Sequence, residues 1–431
     1  MSGKLRQGIL AFRIERSEEP LVARGGLVVP YEMAKALRLP EVIDRELPAP
    51  GSGRGYRSSQ FVMPMLLMFH GGGKKLEDIR EIKGEASLRE LLDMKQLPAA
   101  CTIGDWLRRM GQDGRGLEGL GRVTRHEVAE VLKRETRAEY TLDVDATVIE
   151  AEKEEACWTY KKEKGYQPLL GFLFELGLVL CDEFRNGNVP AGADAEEFLG
   201  LCQQMMPAGK RIAYYRGDSA SYQARVINHC FADHVLFTIT ADQDSAVKGA
   251  IRSIKQQEWR SYGWDRQIAA TVHTMNETKE AFRLVVQRWP KIQAELFDPD
   301  PYCYHVIATN REDPAEQVVS WHNQRGQAEN FIKELKDGFG MNWMPCGETH
   351  ANAVFFRIGI IAYNLFLAMK LLSLPPRWRN STIATVRWRL YQTAAKVVHH
   401  AHLILLKIAT SADKITLLVQ ARQRCLQIGY G

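Results

Sequence analysis

Between Tyr140 and Val148 the chain alternates with period two: Tyr140-Thr-Leu-Asp-Val-Asp-Ala-Thr-Val148. Strict alternation reads as a β-strand, because successive side chains of a strand point to opposite faces. Leu142, Val144, Ala146 and Val148 take one face, and Asp143, Asp145 and Thr147 share the other. Further strand-like and helical runs follow in turn. Leu169 to Leu180 reads as a strand pair with a turn near Gly177, and Ala193 to Met205 as a helix. Arg211 to Arg216 reads as a strand ending in Gly217-Asp218-Ser219, Ser221 to Cys230 as a helix, and Val235 to Thr240 as a further strand. Strands interleaved with helices predict an α/β core, here placed at 140–244.

The flanks have a different texture. Residues 1–139 read as a mainly helical N-terminal region and candidate DNA-binding module. It has helices at Tyr31–Leu39, Leu76–Ile82, Leu88–Met94 and Ile103–Met110, and one at Gln60–His70 with Pro64 in its first turn. Gly51 to Gly55 reads as a loop. Residues 245–315 carry three strand-like runs, Arg266–Met275, Ala281–Trp289 and Tyr302–Thr309, and form a β-rich insertion. Residues 316–345 hold a core helix over Arg325–Asp337, and 346–431 a basic helical C-terminal region with long helices at Phe355–Leu372 and Thr382–Ile408.

Charge follows the same division. Residues 140–345 carry 22 Lys and Arg against 30 Asp and Glu, whereas 346–431 carry 11 against 2. An acidic middle beside a basic tail suits a protein that holds cations at its centre and a polyanion at its flank. The eight cysteines form no C-x-x-C pair and no zinc-spaced cluster, so they read as reduced thiols of a cytoplasmic protein. No secretory signal opens the chain. The apolar stretch Val354–Leu372 is interrupted by Arg357, Asn364 and Lys370, and reads as a buried core helix rather than a membrane span.

Three carboxylates stand out. Asp145 lies in the first core strand, Asp218 just past the end of a later one, and Glu329 on a helix. At 100° per residue, Arg325, Glu329 and Lys336 share one helical face over an Ile332 anchor. A helix packed on a sheet can bring Glu329 beside both aspartates. Three carboxylates in one place repel unless cations neutralise them, and hard oxygen donors suit magnesium or manganese. Two such ions serve phosphodiester hydrolysis and strand transfer, with Arg325 and Lys336 available to phosphates. Singly, each signal is weak: a strand Asp is more often a cap or an ion-pair partner.

The segment His322-Asn-Gln-Arg325-Gly-Gln-Ala-Glu329-Asn-Phe-Ile-Lys-Glu-Leu-Lys336 resembles the Tyr-x2-Arg-x3-Glu-x6-Lys signature of bacterial insertion-sequence DDE transposases, with His322 at the Tyr position. Leu142-Asp-Val-Asp-Ala-Thr147 and Arg216-Gly-Asp-Ser-Ala220 resemble the segments carrying that family's first two aspartates. The 111 residues from Asp218 to Glu329 leave room for the strand insertion of the insertion sequence 4 group, within which the insertion sequence 1380 family is most alike. The resemblance implies an RNase H-like core and two Mg2+ or Mn2+ ions on Asp145, Asp218 and Glu329. It also implies double-stranded DNA as partner (terminal inverted repeats and target), a homodimer in the synaptic complex, no membrane, and a place at the bacterial nucleoid. The family's first aspartate precedes a small residue or Thr, which favours Asp145 and leaves Asp143 a supporting group. His322 leaves open any role of the signature Tyr near a DNA hairpin, although an imidazole can also bond phosphate.

In the basic tail, Arg377-Trp378-Arg379 and Arg387-Trp388-Arg389 interleave cations with aromatics, as DNA contacts do, against the plainer reading of amphipathic helices with buried Trp. Trp259, Trp264 and Trp289 in the insertion are more often core residues than base-stacking ones. His70-Gly-Gly-Gly-Lys-Lys75 lacks the phosphate-loop spacing and follows a helix, which excludes an ATP loop. His399, His400 and His402 have no carboxylate partner evident in the sequence. Two alternatives to a transposase remain: another RNase H-like nuclease, and a non-catalytic DNA-binding protein derived from a transposase.

Overall fold

The computed structural model describes residues 15, 17–51, 53–291, 300–400 and 403–430. Residues 1–14, Ser52 of the Gly-rich loop and His402 lie outside the described residues. The centre is a nine-stranded mixed sheet. Its strands are β1 (Glu139–Ala146), β2 (Leu169–Leu173), β3 (Leu178–Glu183), β4 (Arg211–Gly217), β5 (Leu236–Thr240), β6 (Arg260–Tyr262), β7 (Arg266–His273), β8 (Phe282–Pro290) and β9 (Tyr302–Thr309). The spatial order is β6-β7-β8-β9-β5-β4-β1-β2-β3. Strands β1, β4 and β5 run parallel, and all other neighbours pair antiparallel. The portion β3-β2-β1-β4-β5 is the RNase H-like arrangement. Strand β2 is buried along its whole length, as a central strand covered on both faces must be.

The residues of the expected insertion continue this sheet: β9 pairs with β5 through Ile307–Thr309, and β8 and β7 add on antiparallel. One face of these strands (Ala269, Leu284, Val286, Val306 and Ala308) joins the main core. The other (Ile268, Val285 and Ile307) is covered by Ala315, Val318 and Val319. Those three belong to one of eight helices that matter below. They are α1 (Val28–Ala36), α2 (Ser58–Gly71), α3 (Ala100–Gln112), α4 (Arg115–Leu132), α5 (Ala315–Asn323), α6 (Gln327–Lys333), α7 (Thr349–Leu372) and α8 (Ala412–Tyr430).

Helix α7 is long and apolar enough by composition to cross a membrane, yet 89% of its apolar window is buried inside the protein. It packs on α1, α2, α3, α4 and β3. Each polar interruption has a partner. Arg357 makes a two-pronged contact with Asp182 (2.8 and 3.0 Å) and donates to the Leu117 carbonyl. Asn364 accepts from the Val179 N–H and donates to its carbonyl, both at 2.9 Å. Lys370 donates to the Ser381 carbonyl at 3.0 Å. Strand β3 is an edge strand, and the Asn364 amide satisfies backbone groups that no further strand reaches.

Several expectations need correction. Helix α2 begins at Ser58, so Pro64 lies inside it rather than in its first turn. The long helix expected over Thr382–Ile408 is instead a short helix Ile383–Val386, a π-helical turn Arg387–Tyr391, and a hairpin of β10 (Ala395–His400) and β11 (Leu403–Ile408). The two-residue strand Leu21–Val22 pairs with β10, and α8 packs on α1. The two terminal regions therefore interleave around α7. Lys, Ala and Leu in this stretch favour a helix locally, but edge pairing with Leu21–Val22 and the β-branched pair Val397-Val398 override that preference.

Replacing Asn364 with Leu keeps helix α7 apolar but strips Val179 of both partners. Two buried backbone groups left unpaired cost about 1–3 kcal/mol each. Asn364→Leu is therefore expected to lower the denaturant midpoint strongly with an unchanged m-value, measured by chemical unfolding.

Candidate active site

Strands β1 and β4 are parallel neighbours, with Asp143 opposite Arg216 in the register. Asp145 and Asp218 each lie two residues further on, so both stand at the C-terminal edge of adjacent parallel strands. Asp218 caps the 3-10 turn Ser219–Ser221, and its Oδ1 accepts from the Ala220 N–H at 3.0 Å. Helix α6 packs on β1, with Ala328 and Ile332 buried and the Phe331 ring 5.6 Å from that of Phe172. Glu329 and Asp145 line the same cleft of about 340 Å³, together with Thr147, Lys336 and Asp337.

Glu329 is exposed, and no hydrogen bond or ion pair holds it among the described residues. Burial pushes the Asp145 carboxyl up to about 6; Arg325 pulls it down, and the charges of Asp218 and Glu329 push it up again. Asp145 thus feels the charge of both other carboxylates. Arg325 Nη1 stands 3.7 Å from Asp145 Oδ1, and this buried nitrogen has no hydrogen-bond partner. Among the described residues, no three Asp, Glu, His or Cys side chains come close enough together to hold a metal ion. The donor chemistry nevertheless fits a hard divalent cation: carboxylate oxygens of like charge, facing a cleft, with a single guanidinium beside Asp145.

Asp143 points elsewhere. Arg216 Nε and Nη2 donate to its two oxygens at 2.6 and 2.8 Å, and both side chains are fully buried. Burial pushes the Asp143 carboxyl up to about 6 against the pull of Arg216. Arg216 Nη1 also donates to the Trp321 carbonyl at 2.8 Å. Sequence reasoning missed Arg216 as a partner; the available signal was a cation at the end of a largely apolar strand, two residues before Asp218.

His322 is not available to phosphate as expected. It is buried, and its ring nitrogens meet the hydroxyls of Thr238 (2.9 Å) and Thr240 (3.0 Å) on β5. Burial holds the ring neutral, with its pKa lowered to about 3. Lys336 lines the cleft, but its Nζ donates to the Val148 carbonyl at 2.6 Å and to Thr147 Oγ1 at 3.3 Å. A regular helix was assumed through Lys336. The chain instead passes from a 3-10 turn at Gln324–Gly326 through α6 into a π-helical turn at Glu334–Gly338, which changes the helical phase.

The tail candidates divide. Arg377, Arg379 and Arg389 are exposed, as is Trp388 at 76%. Trp378 is buried, and Arg387 is spent on the carbonyls of Phe69, His70 and Gly338, so these two hold the fold together. In the outer strands, Trp264 is fully exposed, Trp259 is buried beneath Arg288 at 3.9 Å, and Trp289 lies under Arg266 at 4.6 Å. His70 is a core residue between Tyr391 Oη and the Ala362 carbonyl. His399 meets Glu90 at 3.2 Å, a partner not evident in the sequence.

The depressed His322 pKa has a stability consequence. The unfolded ring takes up a proton below about 6.5, whereas the folded ring does so only near 3. Its contribution is present above pH 6.5 and is lost as pH falls toward 3, at about 1.4 kcal/mol per pH unit for one proton. His322→Gln is expected to be less stable at pH 7.5 yet to lose stability less steeply between pH 6.5 and 4. Unfolding midpoints measured across that range check this.

Comparison with known proteins agrees with the motif. The family described as transposase DDE domain group 1 matches residues 12–429. None of the curated proteins matches the chain. Among solved structures, a piggyBac transposase synaptic complex with hairpin DNA is similar at 9% identity and a TM-score of 0.48, over 86% of this chain and 80% of that one. With the family model spanning nearly all of its length, the chain belongs to the DDE-domain transposases.

Proposed function

We propose that this transposase binds terminal inverted repeats, cuts the transposon ends and joins them to target DNA. We further propose that it is a member of the insertion sequence 4 group, nearest the insertion sequence 1380 family. The single observation that carries the chemistry is that Asp145 and Asp218 stand at one edge of two parallel strands, with Glu329 lining the Asp145 cleft from α6. On this reading Asp145, Asp218 and Glu329 hold two magnesium or manganese ions, which when bound activate the attacking oxygen and stabilise the leaving one.

The protein's own groups then have distinct tasks. Water attacks the phosphorus at the transposon end, the bond from phosphorus to the 3′ oxygen breaks, and the freed 3′-hydroxyl later attacks a target phosphorus, joining to it as the bond to the target's own 3′ oxygen breaks and that oxygen leaves as a hydroxyl. Arg325, with an unpartnered buried nitrogen beside Asp145, orients the scissile phosphate through its planar fork. Lys336 fixes the end of β1 to the helix through the Val148 carbonyl. Two transposon ends have to meet, which a homodimer satisfies with one end per protomer. The work is assigned to the bacterial nucleoid.

Asp145→Asn, Asp218→Asn and Glu329→Gln are each expected to abolish cleavage and transfer while end-DNA binding persists. Cleavage of labelled end fragments beside a gel-shift measurement checks both halves. Wild-type cleavage by any of the three removes that residue from the site, and loss of binding as well would point to misfolding. Arg325→Lys is expected to rescue little, because an ammonium does not reproduce the bidentate fork.

The exposed tail cations give a second expectation. The triple replacement of Arg377, Arg379 and Arg389 by Ala should weaken DNA binding. It should also flatten the dependence of log affinity on log salt, by about 0.9 for each phosphate that the tail no longer neutralises. A titration at several salt concentrations reads this directly. Arg387→Ala should instead lower stability, since its partners are internal carbonyls.

A further inference from the structure

We propose that Asp143, Arg216 and the Trp321 carbonyl form a positioning clamp that sets the geometry of the carboxylate site. The inference rests on the reading of Asp145, Asp218 and Glu329 as the cation-holding residues. Each arm of the clamp leads to one of them. Asp143 precedes Asp145 by two residues on β1, and Arg216 precedes Asp218 by two on β4. Trp321 lies in the last turn of α5, just before the 3-10 turn that carries Arg325 and leads into the helix bearing Glu329.

The guanidinium spends three nitrogens on these arms. Nε and Nη2 meet Asp143 at 2.6 and 2.8 Å, and Nη1 meets the Trp321 carbonyl at 2.8 Å. Its Cζ also lies over two aromatic rings, 4.1 Å from the Phe174 centroid and 4.9 Å from that of Trp321. Arg311 stacks on Trp321 at 4.4 Å. A fully buried ion pair is costly to form, and its best-attested use is to fix one register among alternatives. Here the register concerned is that of β1 against β4, together with the end of α5. A one-residue slip of either strand would turn its aspartate to the opposite face of the sheet.

A buried pair with the same chemistry but remote from the site supplies the control. Arg357 and Asp182 join α7 to β3 with the same two-pronged geometry. Mn2+ affinity of the full-length protein, measured by electron paramagnetic resonance in the absence of DNA, is the readout. Asp145→Asn tests the underlying reading and should lose most Mn2+ binding. Arg216→Lys keeps the charge beside Asp143 but loses the fork, and should weaken Mn2+ binding about ten- to a hundredfold, as loss of a ligand's supporting partner does. Arg357→Lys should lower the unfolding midpoint without moving Mn2+ affinity.

Wild-type Mn2+ affinity in folded Arg216→Lys overturns the clamp, and so does an equal loss in Arg357→Lys, which would mark a general effect of destabilisation. Unchanged binding in Asp145→Asn overturns the site reading itself, and the clamp with it. If Arg216→Lys does not fold, Asp143→Asn, which preserves volume and removes the ion pair, is read against the same outcomes.

Discussion

The parallel pairing of β1 with β4 is the constraint on which the candidate site depends. Parallel neighbours bring their C-terminal ends to the same edge of a sheet, so residues 73 apart in sequence, Asp145 and Asp218, become neighbours without any loop having to hold them. The antiparallel strands β2 and β3 bury one flank of this pair, and β5 with the outer strands buries the other. Helix α6 then has one apolar surface to rest on, through Ala328, Phe331 and Ile332, and that seat leaves Glu329 at the cleft. Rigid strand ends are a better base for converging carboxylates than loops, because side chains there inherit the precision of the hydrogen-bonded ladder.

Much of this arrangement is legible in the sequence because the signals are local. The alternation from Tyr140 to Val148 depends only on side-chain direction in a strand, and it becomes β1. The runs at Arg266, Ala281 and Tyr302 become β7, β8 and β9 for the same reason. Arg357, Asn364 and Lys370 in an apolar stretch argue for a protein interior rather than lipid, and each finds its partner there. What the strand pattern does not contain is where the sheet ends. The outer strands read as a β-rich insertion, and their attachment through β9 to β5 is not visible, because strand neighbours far apart in sequence leave no periodic trace.

The misjudged residues fail for a common physical reason: they are read by their own chemistry, while their fate is decided by partners distant in sequence, backbone carbonyls for Arg387 and Lys336 and hydroxyls for His322. Arg387 reads as a DNA contact beside three other arginines, yet three carbonyls from α2 and the Gly338 turn converge on it. Lys336 reads as a phosphate contact on a regular helix, yet a π-helical turn redirects it to the end of β1. His322 reads as a stand-in for a phosphate-binding Tyr, yet Thr238 and Thr240 on β5 take both its nitrogens. Those threonines alternate in their own strand, so their shared direction was visible, but the helix facing them was not. The hairpin β10–β11 fails differently, because its pairing with Leu21–Val22 joins chain ends nearly four hundred residues apart.

Charge at the site follows from the same geometry. Placing Asp145 where burial, Asp218 and Glu329 all disfavour its ionisation creates a demand for positive charge at one point. Arg325 meets part of that demand from 3.7 Å, without a hydrogen bond to its buried nitrogen. A guanidinium held loosely in this way differs from Arg216, whose three nitrogens are committed. The contrast separates the two arginines by how firmly each is held. Full hydrogen bonding immobilises Arg216 and makes it part of the scaffold. Incomplete bonding leaves Arg325 with donor capacity beside Asp145, where a planar guanidinium fork can still pair with two oxygens at once.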